Sequence, residues 1–413
     1  MATDRLLAQP GPRPAGGSGP GTTRPAAVRL PSLTGLRFPA ALAVFAYHAA
    51  LPIPTLRFFA DDRAEYRFTD LADQAGGLGV AFFFVLSGFV LTWSARPGDT
   101  ATGFWRRRLV KIVPNYVVTW ALALVLFAGA YTPVRTAVLN LLMVQVWIPD
   151  FNTYFSVDPP SWSLGAELVF YLSFPLLHRA LRAIRPERLP YWIAGAVAAV
   201  VATPALAYLL LPDTPGVPGG YGASVSQYWF AYVLPPVRMV DFALGILVAL
   251  AVRSGRWRDI GMVWSGVLLV AGYAATRWMP YLYAQRALTV LPIALLVAAT
   301  AIADRDGRFT PFRNRTMTWL GEISFAFYLL HFVVLTELRD LLGTRMYSTV
   351  EGVGLLLLAI AVTVLLSWVL YRLVEAPITR RFSAPRRKPA GTAAAPSSAS
   401  PSSSSSSSSS PSP

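Results

Sequence analysis

The chain has no cysteine, few charged residues and only three histidines. Without cysteine there is no disulfide, no thiolate metal site and no cysteine nucleophile. Charged side chains make up 14% of its 413 residues, against about 25% in ordinary soluble domains. Hydrophobic residues reach 54%, and the mean hydropathy of +0.47 is spread over most of the length. Scarce charge therefore indicates an integral membrane protein. No apolar stretch of signal-peptide type opens the chain, and residues 1–31, rich in Pro, Gly and Ala, read as a disordered tail. Residues 383–413, dominated by Ser and Pro, read the same way. Residues 32–382 are left as one membrane domain.

The net charge of +15 falls in short clusters between apolar runs, which is the pattern of cytoplasmic loops rather than of a nucleic-acid surface. A bilayer-crossing helix needs about 20 apolar residues. Ten segments qualify: about 33–52, 77–94, 112–132, 161–181, 190–211, 230–252, 259–276, 286–303, 319–338 and 351–373. An eleventh, 134–148, is short and interrupted by Asn140 and Gln145. With ten spans and a cytoplasmic N-terminus, 22 Lys and Arg fall in inward loops and 8 in outward ones. An eleventh span would turn the Arg179–Arg188 cluster outward. The positive-inside bias thus predicts an all-α, polytopic protein of about ten transmembrane helices with both termini cytoplasmic. Residues 133–160 then form an outer loop with a re-entrant or surface-lying helix.

Against that apolar background the ionisable residues stand out, because each is costly in lipid. Arg37 and His48 are eleven residues apart in the first span, which places them on nearly the same helix face with about 16 Å of rise between them. In FWRRRLVKIVP (104–114), Trp105, Leu109, Ile112 and Val113 share one face and Arg106, Arg107, Arg108 and Lys111 the other. That pattern predicts a helix lying in the cytoplasmic interface, anchored to anionic lipid or gathering a phosphorylated cofactor. Glu167 lies two turns into the fourth span, with Tyr171 one turn further. Arg238 and Asp241 are three apart in the sixth, and Ser324, Tyr328 and His331 line one side of the ninth. His48, Glu167, Arg238, Asp241 and His331 share a depth between mid-membrane and the outer quarter, which implies a common polar cavity. Plainer readings exist: Arg238–Asp241 as a pair that lets its helix insert, Glu167 as helix glue, His331 as a cross-helix hydrogen bond. His178, beside Arg179 at a span end, reads as an interface residue. For His48 the site reading prevails, since imidazole is the usual proton-transfer group near neutral pH.

Together these segments resemble the acyltransferase 3 family of membrane O-acyltransferases. Arg37 and His48 match its Arg-x10-His signature, and GVAFFFVLSGFVLTW (79–93), with Ser87 and Gly88, resembles its second-span motif. FWRRRLVKIVPNY (104–116), SWSLGAELVFY (161–171), RMVDFALG (238–245), LGEISFAFYLLH (320–331) and YRLVEAP (371–377) follow in order, so the similarity covers roughly residues 32 to 382. The resemblance implies transfer of an acyl group, usually from acyl-CoA as co-substrate with no bound cofactor, to a hydroxyl of a sugar, glycan or glycosylated natural product such as a macrolide. Lys111 stands where a second arginine is usual, and lacks the bidentate fork. Asp241 replaces a longer Glu. A Ser/Pro-rich tail in place of a hydrolase domain points to the stand-alone branch, which includes antibiotic O-acyltransferases.

Acyl transfer to an alcohol needs a base and stabilisation of an oxyanion. The expected assignment makes His48 the base, oriented by Glu167, with Arg37 and then Arg106, Arg107, Arg108 and Lys111 gripping the donor's phosphates. Ser87, Tyr171, Arg238, Asp241, Tyr328 and His331 support the cavity. An acyl-histidine intermediate is a rival chemistry. Expected partners are acyl-CoA, a hydroxylated acceptor and the bilayer, with no nucleic acid and no metal. The competing class is a proton-coupled transporter or exporter, against which the chain shows no internal repeat; a hybrid would carry the acyl group across the membrane.

Overall fold

The computed structural model describes residues 29–51, 56–95 and 98–382, and both expected tails lie outside these apart from residues 29–31. Ten helices of 13 residues or more run through the described residues: α1 Arg37–Ala49, α2 Ala75–Ser94, α3 Ala101–Leu126, α4 Trp162–Arg182, α5 Leu189–Leu210, α6 Pro235–Arg253, α7 Gly261–Ala275, α8 Val290–Arg305, α9 Arg315–Leu342 and α10 Thr349–Leu370. Each of the ten apolar segments falls on one of them. The described residues form an all-helical fold, and six stretches are long and apolar enough to cross a membrane. They contain α2, α3, α5, α6, α9 and α10.

Polar caps start the helices where the apolar runs begin. The Thr100 hydroxyl accepts from the Gly103 amide at α3, and Asn314 accepts from Met317 at α9. Ser348 and Glu351 form a reciprocal capping box at α10. At the centre lies α2, packed against α1, α6 and α8. Its crossing with α6 is built on two glycines. A Cβ at Gly88 would strike the Phe242 carbonyl, and one at Gly245 the Val85 carbonyl, so each helix lays its backbone in a notch of the other.

Two expectations change. The basic segment 104–114 is not a separate interfacial helix; it is the first half of α3, continuous through Pro114. Its orientation is also reversed. Leu109, Val113 and Val117 are exposed, while Phe104, Ile112, Asn115 and Tyr116 face the core, and Arg108 and Lys111 turn inward with them. Beyond the exposed Arg106 the outward side is therefore apolar, and Arg108 and Lys111 lie on the protein-facing side. The segment 134–148 forms only the eight-residue helix Val134–Leu141 and a 3-10 turn at Gln145–Trp147. Asn140, its interrupting polar residue, points inward, accepting from the Tyr116 hydroxyl at 2.8 Å and donating to the Ser156 carbonyl at 2.8 Å. At the end of that loop Asp158 is buried with neither carboxyl oxygen hydrogen-bonded among the described residues, and burial raises its pKa well above the ordinary value.

Candidate active site

A cavity of about 370 Å³ opens between α1, α2, α3, α4 and α9. Cations line one end: Arg29 and Arg37, with Arg108 and Lys111 from the inner face of α3. No carboxylate forms an ion pair with Arg37, Arg108 or Lys111 among the described residues, and the Nε atoms of Arg37 and Arg108 are buried without a partner. Glu375 stands nearby, held by the Asn115 side-chain amide at 2.6 Å. The chain's YRLVEAP motif contains this glutamate, yet nothing in its spacing assigned it a site role.

Along the wall, Glu167 accepts from Ser87 at 2.9 Å and from the Tyr171 hydroxyl, both through Oε1. Tyr171 is fixed in turn because its carbonyl accepts from the Trp105 indole at 3.1 Å. At the far end Tyr328 shares a hydrogen bond with Ser163 at 2.7 Å and donates to the Pro160 carbonyl at 3.0 Å. Ser163, Ser324 and Arg29 line this cavity without having been expected as site residues.

His48 and His331 are not in the lining. They lie behind Tyr328, whose ring centroid is 5.7 Å from that of His331, and they face each other with His331 Nε2 at 3.0 Å from His48 Nδ1. The expected pairing of His48 with Glu167 is thus replaced by a pairing with a second histidine, while Glu167 is committed to Ser87 and Tyr171. With both rings neutral, one pair of tautomers suits these contacts, the single His48 Nδ1 hydrogen being shared between two acceptors. His331 Nδ1 is 3.3 Å from the Phe327 carbonyl, which can only accept, so Nδ1 carries the proton and Nε2 is an acceptor. His48 Nδ1 faces that acceptor and the Val44 carbonyl at 3.0 Å, so it too must be N–H. His48 Nε2 is left as an unprotonated nitrogen with no hydrogen-bond partner among the described residues. Both histidines bond the carbonyl one turn earlier, at Val44 and Phe327, so each ring is held against its own helix.

Arg238 and Asp241 do pair, with Nε 3.3 Å from the carboxylate, but they do not line the cavity. Both side chains are fully buried, and the Arg238 guanidinium is packed 5.0 Å from the Phe84 ring and 5.2 Å from the Tyr232 ring. Arg286, which opens the eighth apolar segment and is one of the eight Lys and Arg counted on the outer side, is 2% exposed and donates to the same carboxylate. The motif is a buried two-arginine, one-aspartate knot behind the cavity wall. Among the basic residues of 104–111, Arg106 and Arg107 line a separate basin of about 1000 Å³, together with Arg108, His178, Arg179, Arg182 and Arg253. Arg108 belongs to both cavities. The loop arginines that had only a topological reading therefore converge on one place.

The acyltransferase domain description matches residues 30–372. The chain belongs to the acyltransferase 3 family. It is 41% identical over 386 residues to acyltransferase MdmB of Streptomyces mycarofaciens, covering 91% of this chain and 97% of that protein. It is 25% identical to the peptidoglycan O-acetyltransferase OatA of Listeria monocytogenes and 23% to O-acetyltransferase OatA of Staphylococcus aureus. It covers 57% of the length of each of these two. No solved structure matches. Membership makes the protein a multi-pass membrane enzyme that transfers acyl groups other than aminoacyl groups. It also places Arg37, His48 and Glu167 within the matched region.

Proposed function

We propose that this acyltransferase moves a short acyl group from acyl-CoA to a hydroxyl of a sugar, glycan or glycosylated natural product, with His48 as general base. The observation that carries the reading is the cavity itself, which runs from Arg37, Arg108 and Lys111, three cations with no ion pair among the described residues, to the wall in front of the His48–His331 pair. Phosphates call for cations that are not already neutralised, and the arginine basin that shares Arg108 gives a second place for a multiply phosphorylated nucleotide. Ser87, Glu167 and Tyr171 stand midway, where the amide groups of a pantetheine arm would find polar partners.

In the proposed step the acceptor hydroxyl gives its proton to His48 Nε2 as its oxygen attacks the thioester carbonyl. The tetrahedral intermediate collapses with cleavage of the C–S bond, the thiolate takes the proton from His48, and an ester and CoA leave. His331 Nε2 accepts from His48 Nδ1 throughout, holding the ring in place as the carboxylate does in a triad. Tyr328, between the cavity and the histidines, has to yield for the thioester to arrive. The ten-span arrangement with both termini cytoplasmic would put the cation end of the cavity on the cytoplasmic side, where acyl-CoA is found. The names of two relatives, both O-acetyltransferases, support an acetyl group as the one transferred.

The test is transfer of label from radioactive acetyl-CoA and propionyl-CoA by purified protein in nanodiscs, with glycosylated macrolides and simple sugars as acceptors. Wild type should label an acceptor and release CoA, and His48→Ala should lose both at unchanged folding. Absence of transfer from any acyl-CoA by folded wild type would refute the donor assignment.

A further inference from the structure

A third pocket, of about 390 Å³, opens at the opposite end of α2 from the arginine basin. The basin reaches Ser94 and Ala95 at one end of α2, and this pocket reaches Asp73 and Gln74 just before the other. With 20 residues in α2, the two are about 30 Å apart. Its volume is within the roughly 300–1,000 Å³ usual for small-molecule sites.

The lining combines aromatic faces with carboxylates. Tyr66, Tyr221, Tyr273 and Tyr281 contribute rings, and Asp70, Asp73 and Gln74 contribute oxygens. Tyr221 and Tyr281 are stacked with centroids 4.9 Å apart, a flat surface of the kind on which a sugar-sized ring can rest. Asp70 is neutralised by Arg277 at 2.8 Å. Asp73 is not: no lysine or arginine among the described residues pairs with it, and its hydrogen bond from the Gln74 amide occupies only Oδ2. The same amide leaves Gln74 Oε1 without a partner on a side chain that is 8% exposed. A half-buried carboxylate and a buried carbonyl oxygen, both short of a donor and ringed by tyrosines, form a site for a group that brings N–H donors and positive charge. Protonated amines meet both needs, through a charge-assisted hydrogen bond and through attraction to the ring faces.

We propose that this pocket binds a hydroxylated ring compound bearing a protonated amine, an amino-sugar type of ligand, and presents it as the acyl acceptor; this rests on the O-acyltransferase reading above. The connection to the site runs through Tyr47, the chain neighbour of His48. Its ring centroid is 5.0 Å from that of His48, and the ring fills the space over Gly76, where a Cβ would come within 2.5 Å of it. Tyr47 thus touches both His48 and Gly76, which is two residues from the pocket's Gln74.

The experiment is saturation-transfer NMR on wild type in nanodiscs with two probes, methyl 2-deoxy-2-dimethylamino-glucoside and methyl glucoside. The tertiary amine cannot itself be acylated. Wild type should bind the amine probe about tenfold more tightly, and Asp73→Asn should erase that preference while thermal stabilisation by acetyl-CoA is retained. Tyr221→Ala should weaken both probes together. Equal binding of the two probes by wild type, or an amine preference that survives Asp73→Asn, overturns the pocket. The acetyl-CoA reaction separates the two claims: label transfer to acceptors without amine preference removes the pocket and leaves the enzyme reading. Amine-selective binding with no transfer from any acyl-CoA keeps the ligand class but removes its role as acceptor.

Discussion

His48 has a neighbour that sets what it can do. A carboxylate beside its Nδ1 would stabilise the imidazolium electrostatically, whereas neutral His331 supplies only an acceptor, with its Nε2 at 3.0 Å. His331 is therefore a positioning residue: it fixes which nitrogen of His48 is bare and where that nitrogen points. His331→Leu should lower kcat about 10- to 100-fold, a part of the 10²–10⁴ that base catalysis commonly supplies, with little change in KM for acyl-CoA. His331→Gln, whose side-chain oxygen can accept from His48 Nδ1, should recover a substantial part. Equal loss with Leu and Gln, measured as kcat at saturating donor, would mean that His331 acts in another way. The sequence already placed His48 and His331 at one depth in the membrane. Their direct contact was not legible, because 283 residues separate them and no local pattern encodes which helix faces which.

At the scale of elements, the Arg238–Asp241–Arg286 knot ties α6 to the turn before α8, and through Phe84 to α2. One carboxylate serves two guanidiniums, so the knot keeps a net positive charge in surroundings where charge is costly. Asp241→Asn would leave two buried cations without their counter-charge and should destabilise by about 3–5 kcal/mol, the usual cost of breaking a buried pair. Arg286→Met leaves the neutral Arg238–Asp241 pair and should cost less. Unfolding midpoints in one detergent would rank them, and a smaller effect for Asp241→Asn than for Arg286→Met would contradict this account. The comparison also shows what hydropathy can and cannot give. All ten apolar segments lie on helices, since a run of that length has few other ways to satisfy its backbone in lipid. Side-chain direction at a helix end is not in the run, so Arg286, counted with the outer-side charges at the edge of its span, is instead buried in the core. Segment 104–114 failed for the same reason: Leu109 and Val113 do face outward, but Ile112 turns to the core beside Lys111, and a protein cavity takes Arg108 and Lys111.

Across the whole molecule the two ends differ in chemistry. One gathers Arg106, Arg107, Arg108, Arg179, Arg182 and Arg253 around a basin, and the other sets tyrosines around Asp70 and Asp73, with the histidine pair between them. The positive-inside argument predicts that the arginine-rich end faces the cytoplasm, and the absence of cysteine makes the matter directly measurable. Single cysteines can be placed at exposed positions of the otherwise thiol-free chain. Glu187 and Arg308 have side chains 61% and 49% accessible at the arginine-rich end. Asp62 and Arg345, 92% and 70% accessible, follow α1 and α9. For ten crossings with both termini inside, a membrane-impermeant maleimide should label Asp62→Cys and Arg345→Cys on intact cells, and Glu187→Cys and Arg308→Cys only after permeabilisation. Labelling of Glu187→Cys from outside alongside Asp62→Cys would mean an odd number of crossings between residues 94 and 187, making 134–148 or a neighbour a true span. The complete reversal of all four would put the arginine basin outside, away from cytosolic acyl-CoA, and the donor assignment would fall with it.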